Sequence, residues 1–260
     1  MKDFPPTRRA RLNGASFEFV LEGAGEPTLV LLNGAGGPVE AWWRIFPDLV
    51  RMSRVFAHNR PGVGGSDPPR QAQTSAAVID DTQALLLHAG VGGPLVLVGH
   101  SFGALHALKW ASDAPAQVIG LVLIEGATAG DIRQGSIDKP RWMVRVEQAL
   151  GHLSRAHSLS ETAIAEAIAD EVADIRSLAI PVAVITGARS GGWTTPRAFR
   201  EGRAERQAGL AQLSPDGWQV TAARSGHFPQ ITEPDLVTDV IRQVIERAVQ
   251  IRPVAAEPYS

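Results

Sequence analysis

Gly99-His100-Ser101-Phe102-Gly103 constrains this chain more than any other stretch because of what flanks it. The apolar run Leu95 to Val98 precedes it, and a helical segment reaching Ser112 follows. A strand that turns at once into a helix leaves little room at the corner. The central serine then takes strained backbone angles, the flanking glycines avoid Cβ clashes, and the serine Oγ is pushed up at the sheet edge. The helix behind it brings amides and a dipole that favour negative charge on an oxygen beside Ser101. An incidental serine in a Gly-rich turn is the bland alternative, and the flanking strand and helix argue against it.

A second loop, Asn33-Gly34-Ala35-Gly36-Gly37, follows the apolar run Thr28 to Leu32 and precedes a helical segment. An acyl transfer that passes through a tetrahedral oxyanion needs two positioned donors. The pair this sequence offers is the Phe102 amide, next to the serine, and the Ala35 amide.

These two corners belong to a longer alternation of short β-rich runs and helix-length amphipathic segments, the pattern of a mainly parallel sheet covered on both faces. Arg8 to Leu12 and Ser16 to Leu21 flank the turn dipeptide Asn13-Gly14 and read as an N-terminal hairpin. Thr28 to Leu32, Arg54 to Ala57, Leu95 to Val98, Val118 to Ile124, Pro181 to Ile185 and Gln219 to Ala222 read as further strands. Most are apolar without alternation, as doubly covered strands are. Helical segments are expected at Val39 to Met52, Thr74 to Ala89, Phe102 to Ser112 and Pro234 to Gln250. The last carries a stripe from Leu236 to Val249, with Thr232 available to cap it and Pro234 in its first turn.

The spacing thus predicts a single α/β domain over residues 1–260: a mostly parallel, eight-stranded twisted sheet with helices on both faces. Residues from about 128 to 177 lack strand signals and contain helical stretches such as Pro140 to Leu150 and Glu161 to Val172. They read as a helical lid inserted after the sixth strand, and the Pro-containing end, 253–260, reads as a frayed tail. Trp142 in the lid and Trp193 after the seventh strand are candidate substrate-binding residues, since they could roof an apolar pocket.

Composition narrows the partners. The chain has no cysteine, which excludes thiolate catalysis and Cys-type metal sites. A formal charge of -2, with no local run of Lys or Arg, gives no footprint for nucleic acid or an anionic membrane. No metal or cofactor motif is visible, so none is expected. The apolar runs stop far short of the ~18 residues a membrane span needs. Met1 to Arg11 lacks the apolar core of a secretory signal, which makes the cytoplasm the default location. A small-molecule acyl substrate is the expected partner, and the surface charge balance suits a monomer or a dimer equally.

With these landmarks the chain resembles the α/β-hydrolase fold superfamily, its serine esterase and lactonase-like branch, from about Phe17 to Val249. Arg60-Pro61-Gly62-Val63-Gly64-Gly65-Ser66 is similar to the family's loop after its fourth strand, where Arg60 and Ser66 are expected to tie the loop down. The resemblance places the general base after the last strand, where Ser225-Gly226-His227-Phe228-Pro229 stands. An imidazole at His227 can take the Ser101 proton and return it to the leaving group near neutral pH. His100 is expected to pack or hydrogen-bond behind the serine. His58, His88, His106, His152 and His157 belong to no motif.

The acid departs from the commonest family pattern. Many relatives place an aspartate after the penultimate strand, but Gly187-Ala188-Arg189-Ser190-Gly191-Gly192-Trp193 has no carboxylate. Glu125 ends the strand Val118 to Ile124 at the same edge of a parallel sheet. It resembles the acid position of certain dehalogenases and preserves the chain order serine, acid, histidine. Asp131 is the reserve candidate.

A serine nucleophile implies an acyl-serine route and argues against the alkyl-ester displacement that a carboxylate nucleophile performs. The resemblance therefore implies a serine hydrolase acting on small to medium, largely apolar carboxylic esters. A lactonase or thioesterase would use the same constellation. A non-catalytic ligand receptor and a lyase on the same fold are the rivals from other classes.

Overall fold

Leu95, Val96, Leu97 and Val98 are all buried, and their side chains divide between two apolar layers, one on each face of the sheet. An uninterrupted apolar run is what a strand covered on both sides requires. The structure, a computed structural model, describes residues 4–138, 159–189 and 197–251. Among them, eight strands form one sheet in the order β1-β2-β4-β3-β5-β6-β7-β8. They are β1 (Arg8–Leu12), β2 (Ala15–Glu22), β3 (Thr28–Leu32), β4 (Arg54–His58), β5 (Leu95–His100), β6 (Val118–Ile124), β7 (Val182–Gly187) and β8 (Gly217–Ala222). Strand β2 pairs antiparallel with β1 and β4, and all other pairings are parallel. The expected hairpin turns at Asn13 and Gly14, both at positive φ, and aligns Leu12 with Ala15.

The described helices are α1 (Phe46–Met52), α2 (Ser75–His88), α3 (Gly103–Asp113), α4 (Ala129–Asp138), α5 (Ala165–Val172), α6 (Arg197–Ala211), α7 (Pro229–Thr232) and α8 (Pro234–Ile251), with a 3-10 turn at Val39–Trp42. One face of the sheet presents Leu32, Leu97, Leu121 and Val184 to Leu105 and Trp110 of α3, Leu85 of α2 and Ile168 of α5. The other presents Leu31, Val98, Val122 and Ala183 to Trp42, Leu49 of α1 and the α8 stripe Val237, Val240, Ile241, Val244 and Ala248. Full burial of side chains this size is worth about 1.5–3 kcal/mol each, so the two layers fix the sheet between them.

Three local expectations are corrected. The segment Val39 to Met52 is two pieces, because Pro47 cannot donate within a continuous helix and instead sits in the first turn of α1. Thr232 does not cap α8: its hydroxyl donates to Ser225 Oγ at 2.6 Å and also lies 3.0 Å from Phe228 O, and Glu233 supplies the carbonyl that Val237 N binds. The segment Glu161 to Val172 is helical only from Ala165, since Glu161 is drawn into a buried contact described below.

Of the inserted segment, α4 and α5 pack on each other and α5 also rests on α3. The stretch Pro140 to Leu150 with Trp142, the residue Trp193 and the tail 253–260 lie outside the described residues. Among the described residues, no helix is long and apolar enough to cross a membrane.

Candidate active site

The sheet order creates the site. From β3 the chain departs to β4 on one side, and from β5 it departs to β6 on the other, although β3 and β5 are paired neighbours. The loops at their carboxyl ends therefore diverge and leave a crevice, the usual place for a ligand in an open α/β sheet. The loop Asn33–Gly37 forms one wall and Ser101 the other.

Ser101 follows β5 with φ +52, in the left-handed region. Leu32 O and Asn33 O explain the glycine after it, because a Cβ on Gly103 would lie 2.2 and 2.5 Å from them. Helix α3 thus begins hard against the end of β3. Ser101 N donates to Ile124 O at 3.0 Å, and Ala127 N donates back to Ser101 O at 2.9 Å, so the serine turn and the turn after β6 are tied together.

Glu125 occupies that second turn at φ +49 and is 1% exposed. Its amide donates to Ile185 O at 2.8 Å, and its Oε1 accepts from Gly187 N, at the end of β7, at 2.7 Å. Gly187 therefore anchors the Glu125 carboxylate through its amide. His227 bridges the two sites: its Nε2 lies 3.0 Å from Ser101 Oγ and its Nδ1 3.5 Å from Glu125 Oε2. The first separation is a hydrogen bond; the second is a charge contact longer than one. The structure thus brings Ser101, Glu125 and His227 together at one sheet edge. It does not bring Asp131 to His227. The Asp131 carboxylate caps α4 through Thr128 N and Oγ1 and pairs with Arg203 and Arg206.

His100 holds the histidine loop from behind, with Nε2 2.8 Å from His227 O. Burial pushes its pKa down to about 4 against the opposing pull of that carbonyl, so the ring is neutral and Nε2–H is the donor. Phe228 stands beside it with its ring 5.2 Å from His100 and 5.1 Å from His227, yet 47% exposed. Sequence reasoning quoted Phe228 only as motif context, whereas the structure makes it an apolar wall next to the imidazole.

The loop Asn33–Gly37 abuts the serine, since a Cβ on Gly34 would lie 3.2 Å from both Ser101 Cβ and His100 Nδ1. The Ala35 and Phe102 amides donate to no acceptor among the described residues. The loop is held from inside by Asn33, which accepts from Trp42 Nε1 and donates to Gly37 O at 2.7 Å. From below, Arg60 donates to Asn33 O at 2.9 Å and Gly34 O at 2.7 Å, while Ser66 donates to Asn59 O. That is the tying role expected of these two side chains.

Sequence reasoning missed the partner of Arg60. Glu161 Oε1 accepts from Arg60 at 2.8 Å and from Gly36 N at 3.3 Å, and its Oε2 lies 3.0 Å from His106 Nε2. Burial would raise the Glu161 pKa, but Arg60 and His106 outweigh it and hold it at about 2. Only long-range contacts create this cluster, and no local pattern announces it.

Three buried histidines make stability depend on pH. Burial, ahead of other charges, lowers His58 to about 3 and His100 to about 4, and it also lowers His106. In the unfolded chain each titrates near 6.5, so below that pH the unfolded state binds more protons and stability falls with pH. His58 and His100 together should remove on the order of 4 kcal/mol between pH 6.5 and 4.5. Glu161 adds to the loss only below its unfolded value near 4.5. Urea unfolding at pH 7.5, 6 and 5 checks this, and a flat profile across that range would contradict burial of the neutral rings.

A strained serine turn, a histidine on the last strand's loop and a buried carboxylate at the sheet edge define an α/β protein of the hydrolase type. The chain belongs to the alpha/beta hydrolase fold family, whose model matches residues 27–164. Among curated proteins it is similar to 2-hydroxymuconate semialdehyde hydrolase of a Pseudomonas species, 39% identical over 108 residues, covering 40% of this chain and 38% of that one. It is also similar to a probable transporter of Hormonema carpetanum, 29% identical over 128 residues, covering 48% of this chain and 18% of that one. The matches span less than half the length of these curated relatives. Among solved structures it resembles alpha/beta hydrolase domain-containing protein 10 from mouse, with a TM-score of 0.70 at 16% identity over 93% of this chain and 99% of that one. The enol-lactonase from Burkholderia xenovorans gives 0.66 at 17% identity over 92% and 100%. These two likenesses are of fold.

Proposed function

We propose that this protein is a serine hydrolase that cleaves small to medium, largely apolar carboxylic esters through an acyl-serine intermediate. The observation that carries the reading is the 3.0 Å contact between Ser101 Oγ and His227 Nε2 at the crevice. In this reading His227 takes the Ser101 proton as Oγ attacks the acyl carbonyl, and the Ala35 and Phe102 amides receive the oxyanion. His227 returns the proton to the leaving alkoxide. It then draws a proton from water, which releases the acid and regenerates Ser101. Glu125 holds the imidazole and favours its charged form. The exposed Phe228 ring beside His227 supports an apolar substrate. Lactones present the same carbonyl to the same atoms, and an enol-lactonase among the structural neighbours keeps that reading second.

A fluorophosphonate probe followed by peptide mass spectrometry, run beside a p-nitrophenyl ester series from acetate to octanoate, tests the proposal. The expected result is a single adduct on Ser101 and turnover of the shorter to middle esters. An inert, unlabelled protein would favour the receptor, and a cleavage product formed without uptake of solvent oxygen would favour the lyase.

A further inference from the structure

The Glu125 carboxylate is shared. Arg203 Nη2 lies 3.0 Å from the same Oε2 that stands 3.5 Å from His227 Nδ1. The other arm of the guanidinium, Nη1, lies 3.3 Å from Asp131 Oδ2, and Arg206 lies 2.7 Å from Asp131 Oδ1. Glu125 is buried and Arg203 mostly so, with 18% of its side chain exposed, which limits screening by solvent. The result is a row of alternating charge, Asp131, Arg203, Glu125, that ends on the imidazole.

We propose that Arg203 and Asp131 are positioning residues that set the proton affinity of His227 through Glu125, a proposal that rests on the hydrolase reading above. A carboxylate beside an imidazole favours imidazolium. A guanidinium on the same carboxylate oxygen offsets that pull and keeps His227 available as a base at lower pH. Asp131 in turn offsets Arg203. The two side chains therefore act on His227 with opposite sign. Among the described residues, four other charged or titratable groups lie around the histidine loop in different settings. His100, from the end of β5, is neutral; Arg206 is engaged by Asp131; Glu233, ahead of α8, binds Ser225 and Arg224; and Arg189, after β7, has an exposed side chain.

The experiment compares wild type with Arg203→Gln, Arg203→Lys and Asp131→Asn in two ways: the pH dependence of kcat/KM on the best p-nitrophenyl ester, and an NMR titration of the His227 ring in the resting protein. Removing the Arg203 charge should move the acid limb, and the ring titration, up by about half to one pH unit. Asp131→Asn should move both down, and Arg203→Lys should leave both close to wild type. The Asn variant keeps the shape of the cap on α4, so a folding defect is not the expected readout. Unmoved titrations with only a lower activity plateau would make the row structural and overturn the proposal, as would shifts of the same sign in the Gln and Asn variants. Ser101→Ala is measured alongside: if it retains activity, the hydrolase reading fails, while the NMR titration still decides the role of Arg203 and Asp131.

Discussion

Ser101→Ala is expected to lower kcat for ester hydrolysis by at least ~10⁴-fold with little change in KM, and Glu125→Gln by about 10²–10⁴-fold. In the proposed mechanism the serine variant loses the covalent route altogether, leaving only binding and the two amides. The glutamine variant keeps an oxygen for Gly187 N to bind, so Oε1 retains its anchor. What it removes is the negative charge beside Nδ1 of His227, and with Arg203 still present the imidazolium would then face a cation that only the more distant Asp131 offsets. Because the residues act as a unit, the double variant should be no slower than Ser101→Ala alone. Kinetics of the three proteins on one ester check this. A Glu125→Gln enzyme within a few-fold of wild type would remove Glu125 from the mechanism, and Asp131, bound to two arginines, does not stand in for it.

The largest effect expected on folding comes from Glu161→Gln. Arg60 and Glu161 keep 3% and 5% of their side chains exposed, and breaking one partner of such a pair leaves the other charge buried and unmatched. Losses of about 3–5 kcal/mol follow in comparable cases. Here the carboxylate also binds Gly36 N and His106, so the loss should come with misplacement of the Asn33–Gly37 loop. Urea unfolding should show the lost stability. Crystals or ester kinetics should show the loop, as a fall in kcat larger than any rise in KM. Replacing the pair together, with Arg60→Met and Glu161→Leu, should restore part of the stability and none of the loop's carbonyl contacts. If Glu161→Gln unfolds at the wild-type midpoint, the buried pair does not hold the fold.

The sheet was legible because each strand declares itself locally. Val118–Ile124 is a fully apolar run and the observed β6, and Asn13-Gly14 states its own turn. The serine corner was legible for the same reason, since its glycines answer to steric demands within a few residues and to the end of β3. The place of Glu125 beside His227 was legible from the resemblance together with the end of the apolar run Val118 to Ile124, because Gly187 to Trp193 holds no carboxylate. What escaped was held by distant partners. Helix α6 carries Gly202 and Gly209 and a largely charged surface, so its period is weak, and Arg203 on it meets Glu125 only after the chain has crossed β7. Glu161 sits 101 residues from Arg60 in a segment whose pattern suggested the start of a helix. His58 and His106 likewise gain partners, Thr82 and Glu161, that no spacing foretells.

Ser101 and Glu125 end adjacent strands in backbone conformations that glycine adopts more easily, at φ +52 and +49. Side chains with a Cβ give up about 1–2 kcal/mol at such positions. Variation screened for heat resistance alone would therefore drift toward glycine at Ser101, discarding the hydroxyl, whereas the buried contacts of Glu125 with Gly187 N and Arg203 outweigh the strain of its own turn. At the serine turn, durability and the proposed chemistry pull the same backbone in opposite directions. A search for a hardier form of this protein would have to score turnover at every round, or it would arrive at a stable sheet with an empty edge.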